Sequence, residues 1–279
     1  MTRHTALTTF LVLAIGSTAR AQQTSPPPAT PHDSTRKWEI LDNSFLIEEA
    51  FNQEAHVVQN IFSWTFSRTG EWDGTITQEW PLWSMTHQFS YTVPATHAAG
   101  QTGVGDVLLN YRYQVLDESA RRPAVAPRIS LSVPTGGTAD GFGSGVVGLQ
   151  VNVPFSKQLR DLYVHANVGW TWQPRIPLPA GAGRVNLTSP QIAASGIWRV
   201  SPLFNLMLES VVQFDESVDG PRVVDERIVT VSPGFRRGWN LGDHQIVVGA
   251  AIPIRIAESG RHTSILTYFS YELPFGRAR

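Results

Sequence analysis

The chain has 279 residues and no cysteine, which excludes disulfides and thiolate metal sites. Past the first fifteen residues no stretch approaches eighteen consecutive apolar residues, so no later segment reads as a membrane-spanning helix. Lysine occurs only at Lys37 and Lys157, and the basic side chains are otherwise arginine. The net charge is −1 with neither sign concentrated, which points away from nucleic acid. The nucleophile-elbow pattern Gly-x-Ser-x-Gly is absent.

What is present is alternation. From His56 to Phe275, segments of roughly ten residues alternate apolar and polar, separated by turn formers. Leu162, Val164, Ala166, Val168, Trp170 and Trp172 fall on one face, with Tyr163, His165, Asn167, Gly169 and Thr171 on the other. A strand sends successive side chains to opposite faces, so each segment has one greasy and one wettable surface. The pattern predicts strands at 56–68, 73–82, 84–94, 103–116, 123–134, 145–157, 162–174, 187–200, 203–216, 224–237, 243–256 and 264–275. Twelve is an even number, as expected of an antiparallel, up-and-down, transmembrane β-barrel with both ends in the periplasm. The links Leu82-Trp83, Leu116 to Arg122, Lys157 to Asp161, Ser201-Pro202 and Gly238 to Leu241 read as short periplasmic turns. Gly136 to Ser144 and Gln173 to Val185 read as longer outer loops. Trp64, Trp80, Trp83, Trp170, Trp172, Trp198 and Trp239 lie mostly near strand ends, where interfacial girdles sit.

The remaining segments have other characters. Residues 1–21 read as a secretory signal: Arg3 and His4, the apolar run Ala6 to Ile15, and Ala19-Arg20-Ala21 before the cleavage point. Residues 22–41, with Pro26, Pro27, Pro28 and Pro31, read as an extended periplasmic leader. Residues 42–55 carry neither proline nor glycine and predict a short helix capped by Asn43 or Ser44. That helix either enters the lumen as a plug or lies solvated outside. Residues 276–279 form a tail after Phe275.

The inward set contains Asp106, Arg112, Arg128, His165, Glu209, Arg255 and Glu272. These residues either hold the lumen together by ion pairs and hydrogen bonds, or select solutes as charged rings do. A lipid hydrolase on this scaffold would pair a serine with His165, and Ser130 and Ser195 lie on nearby strands, though no motif joins them. Gly143 to Gly148 matches the dinucleotide fingerprint in letters alone, because Val147, Leu149, Val151 and Val153 continue as a strand.

Gly103-Val104-Gly105-Asp106 before the strand Val107 to Leu116, then Pro127-Arg128 to Pro134-Thr135-Gly136, resembles the core of a bacterial family. This is the MetA-pathway phenol degradation family, named for an outer-membrane protein of phenol meta-cleavage. Asn43 to Glu54 is similar to the N-terminal part of some members. The resemblance implies a porin-like transporter in the Gram-negative outer membrane, passing small and often hydrophobic or aromatic organic solutes. It brings no catalytic residue and no cofactor or metal. The expected partners are outer-membrane lipid, the solute, and the barrel assembly machinery, for which Phe275 is the aromatic signal.

Overall fold

A chain that crosses a bilayer as strands must pair every backbone N–H and C=O within itself, which only a closed sheet achieves. The computed structural model describes residue 40 and residues 44–275, and it closes in this way. Among these residues twelve strands follow one another around the wall, each antiparallel to its neighbours. They are β1 Val57–Ser67, β2 Trp72–Leu82, β3 His87–Ala98, β4 in two pieces (Gln101–Val104 and Val107–Tyr113), and β5 also in two (Ala124–Val125 and Arg128–Val133). Next come β6 Gly148–Leu159, β7 Leu162–Pro177, β8 Arg184–Ser201, β9 Phe204–Asp219 and β10 Arg222–Leu241. The circuit ends with β11, broken at Pro253 into His244–Ala251 and Ile254–Ala257, and β12 Gly260–Pro274. β12 returns to β1, with Val57 opposite Pro274 and Ser67 opposite Ser264.

The alternation places side chains as expected. In β7 exposed and buried residues alternate from Leu162 to Thr171. Leu109, Leu208, Phe214, Val248, Ile256, Ile265 and Phe269 are exposed on the outer surface. Asn110, Arg112, His165, Asn167, Glu209, Gln213 and Arg236 are buried inside. An apolar exterior around a polar interior inverts the order of a water-soluble domain and fits lipid outside.

Three expectations change. Residues 44–55 contain no helix; the segment is extended and irregular inside the barrel. Its backbone groups find partners on the wall instead of on one another, as described below. The link at Gln173 to Val185 shrinks to residues 178–183, because β7 runs to Pro177 and β8 starts at Arg184. Gly238 to Leu241 belongs to β10, and the turn is Gly242-Asp243, where Gly242 takes φ +66°. β7 to β10 therefore rise well beyond the roughly ten residues a membrane needs. The rim is tall on that side and low at β5. The readings at residues 1–39, 41–43 and 276–279 lie outside the described residues.

Leu208 is 55% exposed on the outer face of β9. Leu208→Arg should cost about 2–4 kcal/mol on folding into phospholipid vesicles if it meets hydrocarbon. Denaturant titration of vesicle-folded protein measures this, and a cost near zero would place this face in water.

Candidate functional site: the occupied lumen

The lumen holds a strap, Ser44 to Gln53, that crosses from β9 to β3. Three alternate amides of the strap meet successive parts of the wall. Leu46 N–H donates to Glu209 Oε1 at 2.8 Å, Glu48 N–H to Asn167 Oδ1 at 2.9 Å, and Ala50 N–H to Ser156 Oγ at 2.6 Å. Gln53 N–H ends the series on Gln88 Oε1 at 2.6 Å. The carbonyls are met as well. Asn167 Nδ2 donates to Glu48 O at 2.8 Å, so one amide side chain reads one peptide in both directions. Arg112 donates to Glu49 O, Phe51 O and Asn52 Oδ1 at 3.1, 2.8 and 3.0 Å, and Gln114 Nε2 to Ala50 O at 2.9 Å. A buried peptide group without a partner costs a few kcal/mol, so a segment with no ladder needs such a wall.

Apolar contacts complete the seat. Ile40 packs among Val247, Ala251, Leu266 and Tyr268, with Phe45 beside them. Phe45 also touches the cluster of Tyr163, Ile197 and Met207, and Ala50 with Phe51 meets Ala124 and Ala126. The Phe45 ring lies where a Cβ on Gly249 would stand, so β11 needs glycine there for the ring to reach the wall.

The second insert comes from the opposite end. Residues 134–147 fold inward, and the Phe142 ring lies against Gly103 at the point a Cβ would occupy. Asp106 pins this loop: Oδ1 accepts from Gly136 N–H at 2.9 Å, and Oδ2 accepts from Ser144 N–H at 2.8 Å and Ser144 Oγ–H at 2.6 Å. Thr135 Oγ1 donates to Gly105 O at 3.2 Å and accepts from Val107 N–H at 3.0 Å. The glycine-rich piece 103–106 and the Pro134-Thr135-Gly136 piece are thus two halves of one clasp.

The structure separates the seven charged or titratable lumen candidates. Arg112, Arg128, His165 and Glu209 gather at the strap. Asp106 serves the clasp. Arg255 stands on the second piece of β11 and pairs with Glu226 at 3.1 Å. Glu272 lies on β12 near its end. The three arginines find acids outside the predicted set, with Glu79 at 3.8 Å from Arg112 and Glu48 from the strap on Arg128. Phe275, the expected assembly signal, continues the β12 edge: its N–H donates to His56 O at 2.8 Å, and its ring approaches Trp80 at 5.8 Å.

Neither serine weighed as a partner for His165 hydrogen-bonds to it, although Ser195 stands directly opposite it in the β7–β8 ladder. Ser195 Oγ is 3.1 Å from Ser44 Oγ, and Ser130 Oγ accepts from Arg128. The hydroxyl at His165 is Ser156, 2.7 Å from Nδ1, and it also accepts the Ala50 amide. One hydroxyl thus joins the imidazole to the strap backbone, which is the posture of an anchor. His165 Nε2 has no hydrogen-bond partner among the described residues, so no third group orients the ring as a triad requires. Among the described residues no three His, Asp or Glu side chains are placed to hold a metal ion.

Sequence reasoning missed Ser156, Asn167, Asn152, Gln88, Gln150 and Glu79, all buried on the inner wall. Their signal was present as inward amides and hydroxyls in successive strands, but with no motif to single them out. Val247, Leu266 and Tyr268 carried a second signal. Apolar residues at inward positions of β11 and β12 have no reason to line a wet lumen and do have reason to seat a plug.

No family model and no curated protein matches the chain. Solved structures do. An outer membrane channel from Pseudomonas putida F1 superposes with a TM-score of 0.63 at 12% identity, over 85% of this chain and 100% of that one. The NanC porin gives a TM-score of 0.48 at 11% identity, over 78% of this chain and 100% of its own. At such identities the first likeness establishes a shared barrel fold.

Asn167→Ala should leave the Glu48 peptide unpaired in both directions. We expect a loss of about 1–3 kcal/mol in strap docking, read as faster hydrogen exchange at residues 46–50 with the wall strands unchanged. Equal protection in both proteins would show that the strap does not depend on this amide. Asp106→Ala should open the 136–144 loop to limited proteolysis while Asp106→Asn, which keeps an acceptor, protects it in part.

Proposed function

We propose that this protein is an outer-membrane channel through which small organic solutes move passively, with the strap setting the width of the path. The observation that supports this most directly is the combination of a closed twelve-stranded wall, an apolar exterior and a lumen lined by amides, hydroxyls and a few charges. A wall that merely filled itself would carry side chains long enough to meet across the axis, as in eight-stranded barrels. Here the axis is occupied by a separate piece of chain, held through side chains. The barrel likeness to an outer membrane channel supports the location, and the residues quoted above for the phenol-degradation family support small hydrophobic or aromatic solutes.

In this reading residues 1–21 direct export, the leader 22–39 lies in the periplasm ahead of Ile40, which is seated inside the barrel, and the Phe275 end is what the barrel assembly machinery recognises. Arg112, Arg128, His165 and Glu209 act on solutes through the strap they hold. Asp106 acts by keeping residues 134–147 inside the outer mouth. Arg255, paired with Glu226, and Glu272, near the end of β12, meet the solute toward the two ends of the path.

Liposome swelling with arabinose tests the proposal. Protein lacking residues 44–53 should admit the sugar several-fold faster than the full chain, provided the shift in gel mobility on boiling shows that the barrel still closes. Phenol and catechol should pass the full chain faster than arabinose. Rates equal to protein-free vesicles for both proteins would mean a sealed, structural barrel.

A further inference from the structure

The arginine beneath the strap is arranged in a way that strap anchoring alone does not require. Arg128 has five N–H groups. Three go to the wall: Nη1 donates to Asn110 Oδ1 at 2.8 Å and to Ser130 Oγ at 2.7 Å, and Nη2 to Gln150 Oε1 at 3.0 Å. The remaining two, on Nε and Nη2, meet the Glu48 carboxylate, Oε2 at 2.8 Å and Oε1 at 2.5 Å. This is the side-on fork by which a guanidinium reads a carboxylate. All three wall partners stand on β4, β5 and β6, so they hold the guanidinium plane whether or not the strap is present. Without Glu48 the fork would still point into the lumen with two parallel donors unmet.

Charge and access narrow what else could fill it. The wall partners that hold the fork, Asn110, Ser130 and Gln150, are neutral. Arg112, opposite Arg128 in the β4–β5 ladder, is committed to strap carbonyls, Asn52 and Gln88, with Glu79 at 3.8 Å. The fork therefore matches one negative charge on one planar group. The Arg128 and Glu48 side chains keep 16% and 27% of their surface exposed, so the site is reached from the lumen without unfolding the wall.

We propose that Arg128, positioned by Asn110, Ser130 and Gln150, is a lumen binding site for small monocarboxylate solutes, and that Glu48 occupies it as an internal stand-in. This inference rests on the channel reading and names a solute class for it. A carboxylate arriving in the lumen competes with Glu48 for the fork and loosens the strap at its midpoint. The strap thereby gives way first to the solutes that the wall recognises.

Calorimetric titration of the full-length, detergent-folded protein with sodium butyrate, at fixed low salt and with butyramide as the neutral control, tests the site. Removing a tethered competitor should tighten apparent binding by about tenfold or more. Glu48→Gln should therefore bind butyrate at least that much more tightly than the unaltered protein, and neither should bind butyramide. Binding should disappear in Glu48→Gln/Arg128→Gln. If that double variant fails to close, by gel mobility before and after boiling, Glu48→Gln/Arg128→Lys keeps the charge without the fork and should still bind at least tenfold more weakly. Butyrate binding that is unaffected by Glu48→Gln, survives loss of the fork, or is absent in every variant overturns the site. Arabinose flux by the same preparations is a separate readout. Absence of flux from Glu48→Gln and from the strap-deleted protein would overturn the channel reading, while calorimetry still decides whether the fork binds carboxylates.

Discussion

Every peptide group withdrawn from water must find a partner, and this structure meets that demand twice by different means. In the wall the partners are other backbones, and the ladder from β1 round to β12 leaves no edge. In the lumen the strap has no neighbouring strand at ladder distance. Its peptides are met by Glu209, Asn167, Ser156, Arg112, Gln114 and Gln88, contributed by β9, β7, β6 and the strands near β4. The inner wall is rich in amides and hydroxyls for this reason as much as for contact with solute. It also explains why a stretch without proline or glycine adopts no helix: helix formation would turn its N–H groups inward on themselves and leave the wall acceptors orphaned.

The wall was legible because its code is local. Period-two alternation, turn residues and strand length act within ten residues of each other, and all twelve strands fall within a few residues of their expected positions. The errors lie where alternation is a poor guide to pairing. β10 runs through Trp239 to Leu241 because its partners on β11, Ile246 and His244, remain in register beyond the expected turn. The strap was not legible because its conformation is set by contacts far away in sequence. Glu48 meets Asn167 across 119 positions and Leu46 meets Glu209 across 163. A segment judged on propensity alone reads as helix, and only the inward apolar residues Val247, Leu266 and Tyr268 hint that something must cover them.

The clasp shows the intermediate case. The glycine-rich piece 103–106 and the proline-threonine-glycine piece 134–136 stood out in the sequence, yet their purpose depends on each other. Gly103 yields space to Phe142, Gly136 and Gly143 pass at backbone contact, and Asp106 closes both turns with one carboxylate. Read singly, Asp106 is an inward charge and a candidate for solute selection. Read with its partners, both oxygens are already occupied by loop donors, and its influence on a solute runs through the position of the loop. Predicted charges are thus a weak guide to selectivity until their hydrogen bonds are known.

The two inserts also differ in how readily they yield. The clasp is made within neighbouring strands and one loop, with donors converging on a single buried acid, so opening it exposes that charge without a substitute. The strap is attached at points spread over half the circumference, each a side chain that water or solute can replace in turn. A segment held by several separable contacts gives them up one at a time, each worth about 1 kcal/mol net, more where a charge is involved. A ladder-paired strand in the same place would have to leave as a unit. Holding the strap by side chains therefore makes it the separable part of the lumen, while the surrounding wall cannot lose a single pair without exposing backbone to lipid.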